Sequence, residues 1–245
     1  MIEVPKDEII YKESRNTGKW EKDVRNFLSS CIRELKKENT DISLIDLGAN
    51  IGLTSLQVVK NINFSTQVIA VEPLPQQIAA LERNLKSFSK TIEVVICQDA
   101  LGLEFKMEYT HKQNTNLVDT SLIVRVVPPD QLSKVRIQML NTEEFSTKYL
   151  GIDNKFIIKS DFQGFDAKVL ARLGKRICGK TYAASVGVRA LNEIERQDVT
   201  NLMGNWKHIN RTSWSSFFTN IVAVEEVQEL WLSGTNTHRN IYLKK

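Results

Sequence analysis

Residues 44–59, LIDLGANIGLTSLQVV, join an apolar strand to a helix through a turn that holds one acid and two glycines. The apolar run over 43–47 predicts a buried strand, and the spacing over 53–62 predicts a helix. Between them, Gly48 and Gly52 allow the backbone to turn tightly and let a ligand approach closely. A helix that begins at such a turn presents unpaired N–H groups to an anion.

The alternation of strands and helices continues on both sides of this stretch. The apolar patterns predict helices over 20–38, 75–88, 141–150, 166–173 and 194–203, and strands over 67–72, 92–97, 155–160, 181–188, 228–232 and 240–243. Asn141 with Glu144 has the spacing of a capping box. Strands that alternate with helices predict an α/β protein, in which helices cover both faces of a parallel sheet.

Residues 103–140 have a different pattern. Short β-prone pieces separated by polar turns predict strands and hairpins inserted between the two halves of the sheet. The chain has no internal repeat and no linker rich in proline or glycine. We therefore expect one domain over 41–245, preceded by an N-terminal helical extension over 1–40.

The overall composition is typical of a soluble globular protein. Lysine and arginine number 33 against 29 acidic residues, for a net charge of +4 and a pI near 8.9. These charges are interleaved, whereas a nucleic-acid binder concentrates its basic residues on one face, so the pattern disfavours nucleic-acid binding. The three cysteines lie far apart, which argues against a disulfide framework. The charged N-terminus and the lack of a long apolar run predict a cytoplasmic protein without a membrane helix.

Acidic residues follow three successive predicted strands. Ligands of α/β proteins bind at the carboxyl ends of parallel strands, where Asp46 and the glycine turn lie. Glu72 ends the second strand, 20 residues after Gly52, where an acid can accept hydrogen bonds from both hydroxyls of a ribose. Asp99 follows the third strand and is a candidate acceptor for an adenine amino group; a solvated turn aspartate is the alternative.

The glycine spacing separates two classes of cofactor. Nicotinamide dinucleotides bind at Gly-x-Gly-x-x-Gly, whereas this turn reads Gly-Ala-Asn-Ile-Gly-Leu. The methionine end of S-adenosylmethionine has a carboxylate suited to loop amides and an ammonium suited to Asp46 or a loop carbonyl. We therefore predict that Asp46, Gly48, Asn50, Gly52 and Glu72 bind S-adenosylmethionine, with a tight turn that binds no ligand as the alternative.

With these residues in hand, the chain resembles the FkbM-type methyltransferases, a branch of the class I S-adenosylmethionine-dependent fold. The matching pieces are LIDLGANIG (44–52), VIAVEPLPQQIAALERNL (68–85), DALG (99–102) and FIIKSDFQGFDAKVLARL (156–173). The resemblance covers about residues 20–190. It implies a Rossmann-like fold with a seven-stranded, mostly parallel sheet and an antiparallel last strand. It also implies O-methylation of a hydroxyl on a small molecule or a sugar.

Two positions depart from the family pattern. Gln163 stands where the family usually has glutamate, and Asp166 replaces a later glutamate. Because glutamine is not a base, Asp161 is left as the acid in place, and it follows the strand expected beside the first. We predict that Asp161 faces the transferred methyl as a general base or as a ligand of a divalent metal; capping of the next helix is the alternative. No metal-ligand spacing supports a metal, and Lys159 is expected to be a salt-bridge partner.

Other functions remain open at this point. An RNA or protein methyltransferase is one alternative, which the missing basic stripe disfavours. A catalytically inactive fold that binds the cofactor or a partner is another, suggested by Gln163 and by the absence of an acid in the strand over 181–188. An NAD-dependent oxidoreductase is set aside by the glycine spacing.

Overall fold

The computed structural model describes residues 20–62, 64–87, 92–102, 107–112, 132–151, 154–161, 166, 169–170, 172–173, 180–188, 208–212 and 239–244. Several sequence predictions lie outside these residues. They are the helix over 194–203, the strand over 228–232, the middle of the inserted segment and position Gln163.

Four helices have defined bounds: α1 (Lys22–Lys36), α2 (Leu53–Lys60), α3 (Pro75–Lys86) and α4 (Thr142–Tyr149). Residues 166, 169, 170, 172 and 173 are also helical, as predicted. The strands are β1 (Ile42–Leu47), β2 (Thr66–Val71), β3 (Ile92–Cys97), β4 (Ala100–Gly102), β5 (Met107–Lys112), β6 (Leu132–Ile137), β7 (Met139–Asn141), β8 (Lys155–Ser160), β9 (Thr181–Val188), β10 (His208–Thr212) and β11 (Arg239–Lys244).

Seven of these strands form one sheet in the order β10-β11-β9-β8-β1-β2-β3. β1 is parallel to both neighbours, β2 and β8, and β2 is parallel to β3. β8 is parallel to β9, whereas β11 is antiparallel to both β9 and β10. The chain therefore winds outward from β1 in one direction and returns to fill the other half from β8. The boundary between β1 and β8 is the switch point at which ligands bind in such sheets.

Both faces of the central strands are buried, as expected for a parallel sheet covered by helices on each side. All six residues of β1 are buried. Ile45 and Leu47 pack with Phe145 of α4 on one face, whereas Leu44 packs with Leu28 of α1 and Leu56 of α2 on the other. Since side chains alternate along a strand, Asp46 shares the face that α1 and α2 cover.

The inserted segment forms two small sheets. β4 pairs with β7 in parallel, and β5 pairs with β6 as an antiparallel ladder. The predicted capping box begins α4, because Asn141 accepts from the Glu143 and Glu144 amides while the Glu144 carboxylate accepts from the Asn141 amide.

Sequence reasoning missed the edge strand β10. Its sequence, His-Ile-Asn-Arg-Thr, has a single aliphatic residue and therefore lacks the alternation that marks a half-buried strand. The pairing with β11 forms the strand, and such long-range pairing leaves no signal in a short window of sequence.

Candidate functional site

The turn after β1 is built from three residues in the left-handed backbone region. Gly48 has φ 76°, Asn50 has φ 52° and Gly52 has φ 79°. The positive φ at Gly52 favours glycine, and a Cβ atom there would lie 2.7 Å from Leu81 Cδ1 of α3, so that a side chain would have to displace Leu81. The turn therefore lies close against α3 and leads directly into α2.

Hydrogen bonds from neighbouring elements fix this turn. The Gly48 and Ala49 amides donate to the Val71 carbonyl at 3.0 and 2.9 Å. The Asn84 side-chain amide of α3 donates to the Ile51 carbonyl at 2.9 Å. The loop is thus tied to the end of β2 and to α3.

Glu72 lies at the end of β2 as predicted, and it holds the same turn. Its carboxylate accepts from the Asn50 amide at 2.9 Å through Oε2 and from the Leu74 amide at 2.9 Å through Oε1. The residue is 6 % exposed. Burial raises the pKa of Glu72 from 4.5 to about 7, although the two amide hydrogen bonds and Lys159 act in the opposite direction. The carboxylate therefore titrates near neutral pH.

Asp46 and Lys159 form a buried ion pair across the switch point. They are register partners on β1 and β8, and Lys159 Nζ lies 3.2 Å from Asp46 Oδ1. Ser55 Oγ of α2 donates to Asp46 Oδ2 at 2.6 Å, and Lys159 Nζ donates to the Gly48 carbonyl at 2.9 Å. The prediction of Lys159 as a salt-bridge partner is confirmed. The two ligand acceptors that the sequence suggested, Asp46 and a loop carbonyl, both have internal partners.

Lys159 stays protonated because of its neighbours. Burial lowers the pKa of Lys159, but the carboxylates of Asp46, Glu21 and Asp161 together raise it by more. The pKa of Lys159 therefore lies above its ordinary value. Three carboxylates thus surround one ammonium group at the carboxyl ends of β1 and β8.

The other two predicted acids lie at the same edge of the sheet. The Asp161 amide donates to the Leu47 carbonyl at 2.9 Å, which places Asp161 beside the start of the glycine turn. Asp99 follows β3, and the Glu72 amide donates to the Cys97 carbonyl at 3.0 Å, which aligns the ends of β2 and β3. Asp161 and Asp99 are both partly exposed. The structure therefore brings the four predicted acids to the carboxyl ends of four adjacent strands, in the order β8, β1, β2 and β3.

Glu21 also belongs to this cluster, and sequence reasoning missed it. It precedes α1 in the left-handed region, with φ 43° and ψ 54°. Its Oε2 accepts a short hydrogen bond from the Thr54 hydroxyl in the first turn of α2. No motif marks Glu21, since it reaches the site only because α1 packs on the sheet. The sequence signal closest to Glu21 is the amphipathic pattern of 20–38. That pattern predicts a helix whose apolar face packs on the sheet, and such packing brings the start of the helix near the site.

Two general features of the described residues also bear on the site. No group of three His, Cys, Asp or Glu side chains among them is placed to hold a metal ion. In this same part of the chain, no helix is long and apolar enough to cross a membrane.

No family model and no curated protein matches the chain. Among solved structures, it is similar to the precorrin-6y C5,15-methyltransferase of Geobacter metallireducens, with 13 % identity over 91 % of this chain and 87 % of that chain and a TM-score of 0.42. It is similar to Aeropyrum pernix fibrillarin with natively bound S-adenosyl-L-methionine, with 12 % identity over 83 % and 66 % and a TM-score of 0.46. A third is a putative rRNA methylase of Clostridium thermocellum, with 7 % identity over 89 % and 97 % and a TM-score of 0.44.

Sequence identities this low give no information beyond the fold. The fold is defined here by the strand order and strand directions of the sheet. Three strands wind outward from β1, two parallel strands return from β8, and β11 is inserted antiparallel between β9 and β10. This arrangement is the Rossmann-like fold of the class I methyltransferases. The predicted seven-stranded sheet with an antiparallel last strand is thus confirmed.

Proposed function

We propose that the protein is an S-adenosylmethionine-dependent methyltransferase that acts on a hydroxyl of a small molecule or a sugar. The observation that carries this proposal is the glycine turn with its two acids. Left-handed residues at 48, 50 and 52 place backbone at the switch point, while Glu72 and Asp161 flank the turn on β2 and β8. A ligand with a nucleoside and a charged amino-acid end suits that set of groups.

The residues present fit this cofactor. Gly52 is the N-terminal residue before α2 and provides no side-chain cap, so the amides of the first turn are available to the methionine carboxylate. Glu72 is proposed to accept from the ribose hydroxyls with the lone pairs that the Asn50 and Leu74 amides leave open. Asp99, beyond β3, is proposed to accept from the adenine amino group. The bound cofactor would supply an electrophilic methyl group on its sulfonium.

Asp161 is proposed to accept the proton of the acceptor hydroxyl. It lies beside the start of the glycine turn and is partly exposed, so a substrate can reach it. Positioning of the reactants contributes about 7–11 kcal/mol to such reactions, whereas a general base adds about 10²–10⁴-fold. A variant that lacks the Asp161 carboxylate is therefore expected to be slow rather than inactive. A role as a divalent metal ligand has no support from the described residues.

Calorimetric titration tests the cofactor assignment. S-adenosylmethionine and S-adenosylhomocysteine are expected to bind in the micromolar range, and NAD is expected not to bind. Glu72→Ala is expected to weaken both adenosyl ligands about tenfold or more, because it removes a charged acceptor and the clamp on the turn. Glu82→Ala on the outer face of α3 is the matched control, since Glu82 pairs only with the exposed Lys86 four residues later among the described contacts. Absence of binding by both adenosyl ligands would refute the proposal.

The acceptor class is tested separately. We expect turnover on hydroxyl-bearing small molecules or sugars, and no RNA affinity that falls steeply with salt. Salt-sensitive RNA binding with methyl transfer to RNA would favour the alternative acceptor. Tight cofactor binding without turnover on any acceptor would favour a catalytically inactive fold.

A further inference from the structure

Glu21 lies beside the proposed cofactor site, directly before α1. Two contacts attach this part of the chain to α2. The Trp20 amide donates to Gln57 Oε1 at 3.2 Å, and the Trp20 ring packs against Ile51 and Leu53 at the end of the glycine turn. Glu21 follows directly and accepts from the Thr54 hydroxyl. These contacts hold the Glu21 carboxylate over the start of α2.

The ammonium of a bound methionine end needs an acceptor in this region. Asp46 is 1 % exposed, with Oδ2 bonded to Ser55 and Oδ1 facing Lys159. The Gly48 carbonyl accepts from Lys159 Nζ. Asp46 is buried beside Lys159, and the Gly48 carbonyl already accepts from Lys159, so a second cation at either group would lie next to the Lys159 ammonium.

Glu21 is a less buried alternative to Asp46. It is only partly buried, unlike Asp46, and its carboxylate is an acceptor with lone pairs beyond the one that Thr54 uses. The local charge also favours a cation, since Glu21, Asp46 and Asp161 surround the single ammonium of Lys159. Asp161 is proposed to accept the proton of the acceptor hydroxyl, which leaves Glu21 for the amino-acid end.

On the basis of the proposed function, we propose that Glu21 binds the α-ammonium of the cofactor's methionine end. Trp20 and Glu21, the two described residues before α1, then form part of the cofactor site. The pKa of Glu21 reflects the same charged surroundings. Burial raises its pKa, Lys159 and the Thr54 hydroxyl lower it, and Asp161 and Asp46 raise it, so the net shift is upward. A cation bound beside Glu21 would relieve the repulsion among these carboxylates.

Glu21→Gln tests the proposal, because it removes the charge and keeps an oxygen that accepts from Thr54. Two probes separate the amino-acid end from the nucleoside: S-adenosylhomocysteine carries the α-ammonium, and 5′-methylthioadenosine lacks the whole amino-acid end. We expect calorimetry to show about ten- to a hundredfold weaker binding of S-adenosylhomocysteine to the variant. Binding of 5′-methylthioadenosine is expected to change less than about twofold.

The control is Glu34→Gln, the same change within α1, at a residue whose carboxylate pairs with Lys244 at 2.7 Å. It is expected to leave both probes unaffected. If Glu21→Gln binds S-adenosylhomocysteine as wild type does, or more tightly, Glu21 is not an ammonium acceptor and the inference is wrong. If the wild-type protein binds neither probe, the proposed function itself fails.

Discussion

Two buried acids end adjacent strands of this sheet, and the protein pairs them differently. Asp46 on β1 faces Lys159 Nζ at 3.2 Å and accepts from the Ser55 hydroxyl. Glu72, directly after β2, accepts from two backbone amides at 2.9 Å. A lysine neutralises the first carboxylate, while only dipoles and a more distant cation solvate the second.

The difference separates a buried acid with a counter-charge from a buried acid without one. Asp46 is locked in place with its counter-charge, and its pairing also fixes the Gly48 carbonyl through Lys159. Glu72 is buried without such a partner, and its pKa is raised to about 7 by that burial. A ribose that donates two hydroxyls would provide the solvation that Glu72 lacks, which is the physical reason to place the nucleoside there.

Lys159→Met breaks the Asp46 side of the comparison and is expected to have the largest effect. The variant leaves the Asp46 carboxylate buried without its cation and the Gly48 carbonyl without its donor. Removal of one member of a buried ion pair costs about 3–5 kcal/mol of unfolding free energy. Urea unfolding monitored by circular dichroism measures this loss.

The surface pair of α1 and β11 offers the matched control. Lys244 pairs with Glu34 at 2.7 Å, but their side chains are 32 % and 45 % exposed. Lys244→Met is therefore expected to lose only about 0–1 kcal/mol. If the two lysine variants lose similar amounts, the Asp46–Lys159 pair is not the structural element that its burial suggests.

Glu72→Gln sharpens the other side of the comparison through its pH dependence. The folded-state pKa lies above the unfolded value, so the native state binds the proton more tightly. Its contribution to stability is therefore fully present below pH 4.5 and is lost as the pH rises through about 7. With that shift, the unfolding free energy of the wild type is expected to fall by about 3 kcal/mol more than that of the variant between pH 4.5 and pH 8.

The quantity to compare is the slope of unfolding free energy against pH, and not the unfolding free energy at one pH. Glutamine presents an NH₂ group to one of the two amides, so the absolute unfolding free energy of the variant also includes the loss of that hydrogen bond. Parallel curves of unfolding free energy against pH for the two proteins would show that Glu72 does not titrate in this window.

The sequence predicted most of the fold because its signals are local. The apolar runs of β1, β2 and β3, the capping box at Asn141 and the glycine turn all lie within short windows. β10 was missed because its strand conformation depends on β11, about thirty residues further along the chain. Glu21 was missed for a similar reason: its place in the site arises from tertiary packing.

The pairing of the predicted site residues was also beyond the sequence. Parallel strands place Asp46, Glu72, Asp99 and Asp161 at one edge, and this much follows from strand order. Which acid faces a lysine depends on register, since a shift of one residue between β1 and β8 would turn Lys159 to the opposite face. Side-chain partners therefore required the structure.

Ser55→Ala gives the smallest expected effect and tests whether Asp46 depends on more than its lysine. The variant removes the 2.6 Å hydrogen bond to Asp46 Oδ2 in a buried position. Loss of a buried partner of a charged group is expected to lower the unfolding free energy by about 1–3 kcal/mol. Ser87→Ala is the control, because the Ser87 hydroxyl donates to the Asn84 carbonyl at an exposed helix end and its loss should matter by less than about 0.5 kcal/mol.

The double variant Ser55→Ala with Lys159→Met measures whether the contributions of Ser55 and Lys159 to the stability of buried Asp46 are coupled. Both act on one carboxylate, so their losses are expected to differ from a simple sum by about 0.5–3 kcal/mol. Such coupling arises because a carboxylate that has lost the Lys159 cation depends more strongly on the Ser55 hydroxyl, its remaining donor. Additive losses would mean that Ser55 and Lys159 stabilise different parts of the turn, and the contrast between Asp46 and Glu72 would then rest on the lysine alone.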